Sequence, residues 1–327
     1  MVQLFRSHNP INIFWLIVLL FVTRFSALVH FPATPDASFT GLFSRLLIAA
    51  PAHNLTHQGH VMWAAIIVLI QALWFNYIIN NNNLLGKPSF LPALLYLTVS
   101  GLFTSFLTLS EPLICNFLLV WMLQKLLDLY QTEEATATAY DLGLLVGIGT
   151  LIYFPFISLF LVIWFGLLIF RPFNWHEWVS ALMGVLTIFF FLSVYYYCTD
   201  QTAAFQKIRS SFDAQLPVIS NTNPYYYLVL VPLVLIFVPA LFRLQSNFLK
   251  SMVMVRKTFQ SLFFILLVVA FASFIKTDFS FNHFLLAVMP IAVITAYYFL
   301  YATKKWFYES LYLLLLFSII YFQFNNF

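Results

Sequence analysis

The chain has 327 residues, of which 62% are hydrophobic, 20% aromatic and only 8% charged, with a formal net charge of +4. A soluble domain carries about a quarter charged residues, so this composition excludes a water-solvated globule and makes lipid the main solvent. The modest positive balance gives no reason to expect a nucleic-acid partner, and two cysteines, Cys115 and Cys198, make no disulfide framework.

A spanning segment must satisfy its own backbone hydrogen bonds, so it is either a helix or part of a closed barrel. Barrel strands alternate apolar and polar residues, whereas here the apolar runs are continuous. The fold class is therefore all-α, a polytopic transmembrane bundle forming one integral membrane domain over 1–327. Apolar runs between polar breaks predict eleven spans, at roughly 10–30, 61–79, 89–109, 112–130, 141–154, 156–170, 178–197, 224–242, 257–275, 282–301 and 307–324. The first run is longer than a signal-peptide core and reads as a retained span.

Arg24 falls within the first span, about 9 Å before its end at helical rise. An intramembrane arginine faces protein or a wet cavity by default. It can hold a lipid-linked phosphate, pair with Glu111 at the top of the fourth span, or snorkel to the interface. The first long segment outside the membrane, residues 31–60, contains a single acid, Asp36. A carboxylate at the bilayer surface can serve as general base for an acceptor hydroxyl, or help bind a divalent cation on a phosphate. It can equally be a turn residue after Pro35. Phe39, Leu42, Phe43, Leu46 and Leu47 recur at helical spacing around Arg45, which predicts an interfacial amphipathic helix over 39–48. His53, His57 and His60 follow at spacings that a helix would place on one face. Three imidazoles can bind a transition metal, although ordinary interfacial histidines explain them as well.

Further along, Asn80–Asn83 reads as a polar turn. Gly143 and Gly147 allow a close helix approach in the fifth span. Pro155 separates the fifth and sixth spans, and Arg171-Pro-Phe-Asn-Trp-His-Glu177-Trp178 reads as an aromatic belt anchor in which Arg171 and Glu177 can pair. The second external segment, 198–223, carries Lys207 and Arg209, which can meet an anionic head group.

Charge then orients the bundle. Eleven spans place Arg6, Lys87, Lys125, Arg171, Arg243, Lys250, Arg256, Lys257, Lys304 and Lys305 on one side. Arg45, Lys207, Arg209 and Lys276 fall on the other. By the positive-inside rule the first group, and with it the N-terminus, is cytoplasmic, and the end of the last span is external. A helical bundle of this kind belongs in a bacterial cytoplasmic (inner) membrane.

The external segment after the first helix with its early Asp36 is similar in layout to the type C integral-membrane glycosyltransferases. So are the glycine-rich stretch Leu142–Gly149 with Pro155 and the late run Asn282-His-Phe-Leu-Leu-Ala-Val-Met-Pro290. Phe90-Leu-Pro-Ala-Leu-Leu-Tyr96 and Phe170–Trp178 resemble more specifically a bacterial multi-pass family that brings no established activity. The glycosyltransferase likeness implies a polyprenyl-phosphate-linked sugar as substrate in cell-envelope glycan synthesis, with Asp36 catalytic. Arg24, Arg45, Lys207 and Arg209 would hold phosphate, and His53, His57 and His60 remain the metal candidates. The chain departs from that pattern in two ways: Asp36 has no acidic neighbour, and no large external domain follows the last span. The alternatives are a non-catalytic scaffold of a cell-envelope assembly, or a transporter.

Overall fold

The computed structural model describes residues 1–29, 56–130, 135–200, 224–248, 251–273 and 281–324. All regular structure among them is helical. A short α1 (Val2–Phe5) leads into α2 (Ile11–Val29), and α3 (His57–Asn81) follows. Next come α4 (Leu91–Val99), a 3-10 turn at Thr104–Leu107, α5 (Glu111–Asp128) and α6 (Thr136–Ile152). A 3-10 turn at Phe154–Leu159 feeds α7 (Phe160–Phe170), and α8 (Trp175–Cys198) returns. The last four are α9 (Leu230–Asn247), α10 (Val253–Ala272), α11 (Val288–Tyr301) and α12 (Lys305–Phe324). Further 3-10 turns, Pro224–Val229 and Phe281–Ala287, lead into α9 and α11.

Among the described residues, seven helical stretches are long and apolar enough to cross a membrane, with two shorter apolar ones at Thr136–Ile152 and Phe154–Phe170. This is a multi-pass membrane protein. The remaining two expected spans behave differently. α5 carries Glu111, Lys125 and Asp128 within its 18 residues, and α4 has only nine residues, about 13 Å of helix.

α4 sits at the centre, with every one of its residues buried. It packs against α3 and α11, and α11 is buried along nearly its whole length. At the periphery, α8 exposes Phe190, Phe191 and Tyr195, the side-chain chemistry that lipid chains solvate. α8 packs closely on α6 because glycines face each other there. Gly143 lies against the Ala181 carbonyl and Gly184, and Gly147 against Ile188. The close approach read from Gly143 and Gly147 is thus made, with α8 as the partner. Pro155 divides α6 from α7 as expected, since a proline inside a helix removes a hydrogen bond and clashes with the preceding turn.

The third predicted span, 89–109, is where the sequence reading departs most from the structure. Helix geometry stops at Val99, in Thr98-Val-Ser100-Gly101, residues that favour local side-chain bonds over helix propagation. Thr98 Oγ1 donates to Leu95 O at 3.1 Å and Ser100 Oγ to Leu97 O at 2.9 Å. Irregular backbone at membrane depth is tolerated only inside protein and only with its polar groups satisfied. Two long-range donors meet that need: Gln323 Nε2 reaches Gly101 O at 2.7 Å, and Arg24 Nη1 reaches Leu107 O at 3.0 Å.

The two ends of the bundle differ in charge. At the end holding residues 1–6, the backbone N–H groups of Val2 and Gln3 donate to Glu309. Arg6 caps the last turn of α11 through Phe299 O at 2.9 Å and Ala302 O at 2.6 Å, and Arg243 donates to Tyr301 O. Lys257 donates to Phe170 O at the end of α7, and Arg171 to Leu129 O just past α5. Arg171 and Glu177 form the expected ion pair at 3.2 Å. At the opposite end the cation within the described residues is Arg24, accompanied by Ser26, whose hydroxyl donates to Gln323 O at 2.6 Å.

Candidate functional site

The 19-residue α2 carries three buried polar side chains near its end, Thr23, Arg24 and Ser26; Thr23 donates to Leu20 O in its own helix, but Arg24 and Ser26 need acceptors from other elements. The break after α4 supplies one for Arg24. Arg24 is 3% exposed, and its Nη1 is spent on the Leu107 carbonyl. Its Nη2 is buried with no hydrogen-bond partner. A guanidinium carries five donors and keeps its charge, so one flank of a buried cation stands ready for an acceptor oxygen. The snorkelling alternative is overturned: the side chain turns inward to the protein, because the carbonyl freed by the broken helix is there. Nor does Glu111 complete it, since the group Arg24 meets is a backbone carbonyl.

Further polar groups gather around this break. α2 and α3 both pack on the Thr104–Leu107 turn, and that turn packs on the Phe281–Ala287 turn. His60, in the first turns of α3, is buried with Nδ1 lacking a partner; Ser110 Oγ, Asn116 Oδ1 and Asn282 Oδ1 share that state. Glu111 opens α5 and is 5% exposed, near enough to Cys115 and Tyr153 to interact with both electrostatically. Tyr153, at the α6 break, meets His283 Nδ1 at 2.8 Å, and His283 Nε2 meets Val269 O at 2.8 Å. A carbonyl only accepts, so Nε2 carries the proton. A neutral imidazole then accepts from the Tyr153 hydroxyl at Nδ1. His283 thereby ties three elements together: the end of α6, the end of α10 and the turn before α11.

Similar ties surround it. Asn116 Nδ2 donates to Leu285 O at 3.1 Å. Gln71 Nε2 donates to Leu113 O at 2.7 Å while accepting from Tyr96 OH at 3.0 Å. Sequence reasoning missed Gln71, Asn116, Tyr153 and His283 as site residues. The available signal was a lone polar residue inside an apolar run, which is a functional or structural marker by default.

Of the predicted site residues, Arg24 and His60 fall in this region. His57 lies in the first turn of α3, so the helix starts four residues before the span read from residue 61. Asp36, Arg45, His53, Lys207, Arg209 and the amphipathic stretch 39–48 lie outside the described residues. Among the described residues no three His, Cys, Asp or Glu side chains are grouped to hold a metal. Cys115 is buried, Cys198 is exposed, and both are free thiols. Chemically, the arrangement is a buried cation with a spare donor at one helix break, and a buried acid, Glu111, near the other.

No curated protein and no solved structure matches the chain. One family model does, over residues 39–327, and the chain therefore belongs to DUF6427, a family of unknown function.

Proposed function

We propose that this protein binds the phosphate of a polyprenyl-phosphate-linked sugar at the Arg24 end of the bundle and takes part in transferring that sugar, as a glycosyltransferase-like membrane enzyme of the cell envelope. The observation that carries the reading is the buried Arg24 guanidinium with one nitrogen unengaged. Charge-assisted bonds from arginine to phosphate are among the strongest hydrogen bonds available to a protein. Asp36, seven residues beyond Val29, is the proposed base, with Arg45, Lys207 and Arg209 as further phosphate ligands and a divalent cation as an optional bridge.

The test uses full-length protein in nanodiscs, with binding of undecaprenyl phosphate read by native mass spectrometry. Arg24→Lys retains a donor for Leu107 O but loses the planar fork, and is expected to weaken binding about tenfold. Asp36→Asn is expected to bind normally while failing to restore function in cells lacking the native gene. Undiminished binding by Arg24→Lys would remove the phosphate assignment; full cellular function of Asp36→Asn at normal abundance would remove the catalytic one.

A non-catalytic scaffold is the second reading, favoured by where the buried polar groups end. Gln71, Asn116, His283 and Gln323 all donate to backbone carbonyls, which is what holding a shape requires.

The finer topology belongs to the same proposal: eleven crossings, a cytoplasmic N-terminus and an external end of α12, in a bacterial inner membrane. It is supported by the gathering of Arg6, Arg171, Arg243 and Lys257 at one end and by the positive-inside rule. In intact cells a cysteine placed near Gln245 should resist an impermeant thiol reagent, while one near Thr202 should label. The reverse pattern would invert the bundle.

A further inference from the structure

At the end of the bundle remote from Arg24, α3 and α5 finish side by side next to the start of α10. Between them lies a pocket of about 390 Å³, within the usual size range for small-ligand sites. Its polar lining comes from Asn81, Asn82 and Asn83 at the end of α3 and from Gln124 and Asp128 on α5. Tyr77 forms one wall, and Ile78 and Met254 supply apolar surface.

The asparagine run is divided between two tasks. Asn80 locks the following loop by donating to Ser89 O at 3.0 Å and accepting from Ser89 N at 3.1 Å. Asn82 Nδ2 caps Ile78 O at 3.0 Å. Asn83 turns the chain with φ 49°, a left-handed conformation that asparagine tolerates better than most residues. By contrast, the side chains of Asn81, Asn83 and Gln124 form no hydrogen bond with other described residues, and Tyr77 is 63% exposed. The fold has spent Asn80 and half of Asn82 on itself and left the other amides facing the pocket.

Donor and acceptor chemistry narrows what fits. Each amide offers two N–H donors beside a carbonyl acceptor, and the carboxylate only accepts. Among the described residues that line the pocket there is no lysine, arginine or histidine, so a phosphate or carboxylate ligand would meet the like charge of Asp128 there. A lone divalent cation needs six to eight oxygens closing on it at about 2.3–2.6 Å, a far smaller space than this. A group with several adjacent hydroxyls matches: each hydroxyl both gives and accepts, and its carbon face can lie on an aromatic ring such as Tyr77.

We propose that this pocket binds a neutral, hydroxyl-rich group, a sugar or related polyol, either as a glycolipid head group or free in solution. The proposal is independent of the Arg24 site, which lies at the other end of the molecule and has the opposite chemistry.

The experiment uses the full chain in phosphatidylcholine nanodiscs. One arm includes monoglucosyl-diacylglycerol, with plain diacylglycerol as control, and counts bound lipid by native mass spectrometry. The other adds methyl glucoside and reads saturation-transfer NMR. Binding in the first arm alone assigns a lipid head group; binding of methyl glucoside assigns a soluble polyol. In either case the double variant Asn81→Ala/Gln124→Ala should weaken binding about tenfold, and Tyr77→Ala should weaken it as a separate single change. Both variants alter pocket-wall side chains outside the core, and an unchanged melting temperature verifies folding. No binding in either arm overturns the proposal, as does undiminished binding by the variants. Competition by millimolar calcium with no response to the variants overturns it in favour of a cation.

Discussion

Gly143→Val is expected to destabilise the protein by about 3 kcal/mol, at the upper end of the usual cost of overpacking. In an unpacked helix the opposite sign would hold, since glycine is about 1 kcal/mol worse than alanine there. Packing decides the matter. A Cβ at position 143 would collide with the Ala181 carbonyl and lie 3.1 Å from Gly184 Cα, and one at Gly184 would meet the Tyr140 carbonyl. These obstacles are backbone, which has no rotamer to move into, so α6 and α8 must separate. Separation also strains Ser180 Oγ to Thr136 O, at 2.7 Å, and Tyr140 OH to Thr187 Oγ1, at 3.1 Å. Gly147→Ala is the milder comparison, because there the nearest atoms are Ile188 Cβ and Cγ1, both at 2.9 Å, instead of a backbone carbonyl: Cγ1 can rotate away, and Cβ needs only a small helix shift. Denaturation of purified protein in mixed micelles, followed by circular dichroism, should rank Gly143→Val well below Gly147→Ala. Equal stability of the two would mean that the helices do not cross at these glycines.

His283→Phe is expected to cost about as much, again about 3 kcal/mol, for a different reason. The ring fills similar space, but two buried groups lose the imidazole: the Tyr153 hydroxyl and the Val269 carbonyl. Each such loss costs roughly 1–3 kcal/mol. Val269 is one of the last four residues of α10, whose carbonyls lack helical partners, so the histidine also serves as that helix's cap. Tyr153→Phe should cost about 1 kcal/mol, since it deletes one bond and leaves the other. The double variant should be less destabilised than the sum of the singles, because the two side chains share an interaction. Strict additivity would show that the pair is not coupled.

Much of the fold was legible in the sequence because bilayer thickness fixes helix length. The apolar run predicted at 10–30 is α2 at Ile11–Val29, and 178–197 is α8 at Trp175–Cys198. The break after Val99 was not legible. Residues 101–109 are themselves largely apolar, and hydropathy reports what surrounds a side chain rather than how its backbone is bonded. What permits the break comes from afar: Gln323 lies 222 residues from Gly101, and Arg24 83 residues from Leu107. The same distance effect hid the Tyr153–His283 pair, separated by 130 residues. Arg24 itself was legible, as a charge that an apolar helix would not keep without a use. Its orientation toward a carbonyl was not, because that carbonyl is exposed only by the break.

The cations at the N-terminal end carry a consequence for how the chain reaches its fold. While a nascent chain inserts, a positive charge is a topogenic signal, retained on the side where translation occurs. Once the helices assemble, Arg6, Arg171, Arg243 and Lys257 each donate to carbonyls at or just past helix ends, where the helix dipole places partial negative charge. On the topology proposed above, the charge that sets the orientation is the same charge that the folded structure locks in place. A helix inserted upside down would present its amino end, with N–H donors instead of carbonyls, to those same side chains. Misinsertion and misassembly are thereby linked: the wrong topology forfeits its caps, and quality control can discard it without reading the membrane side at all.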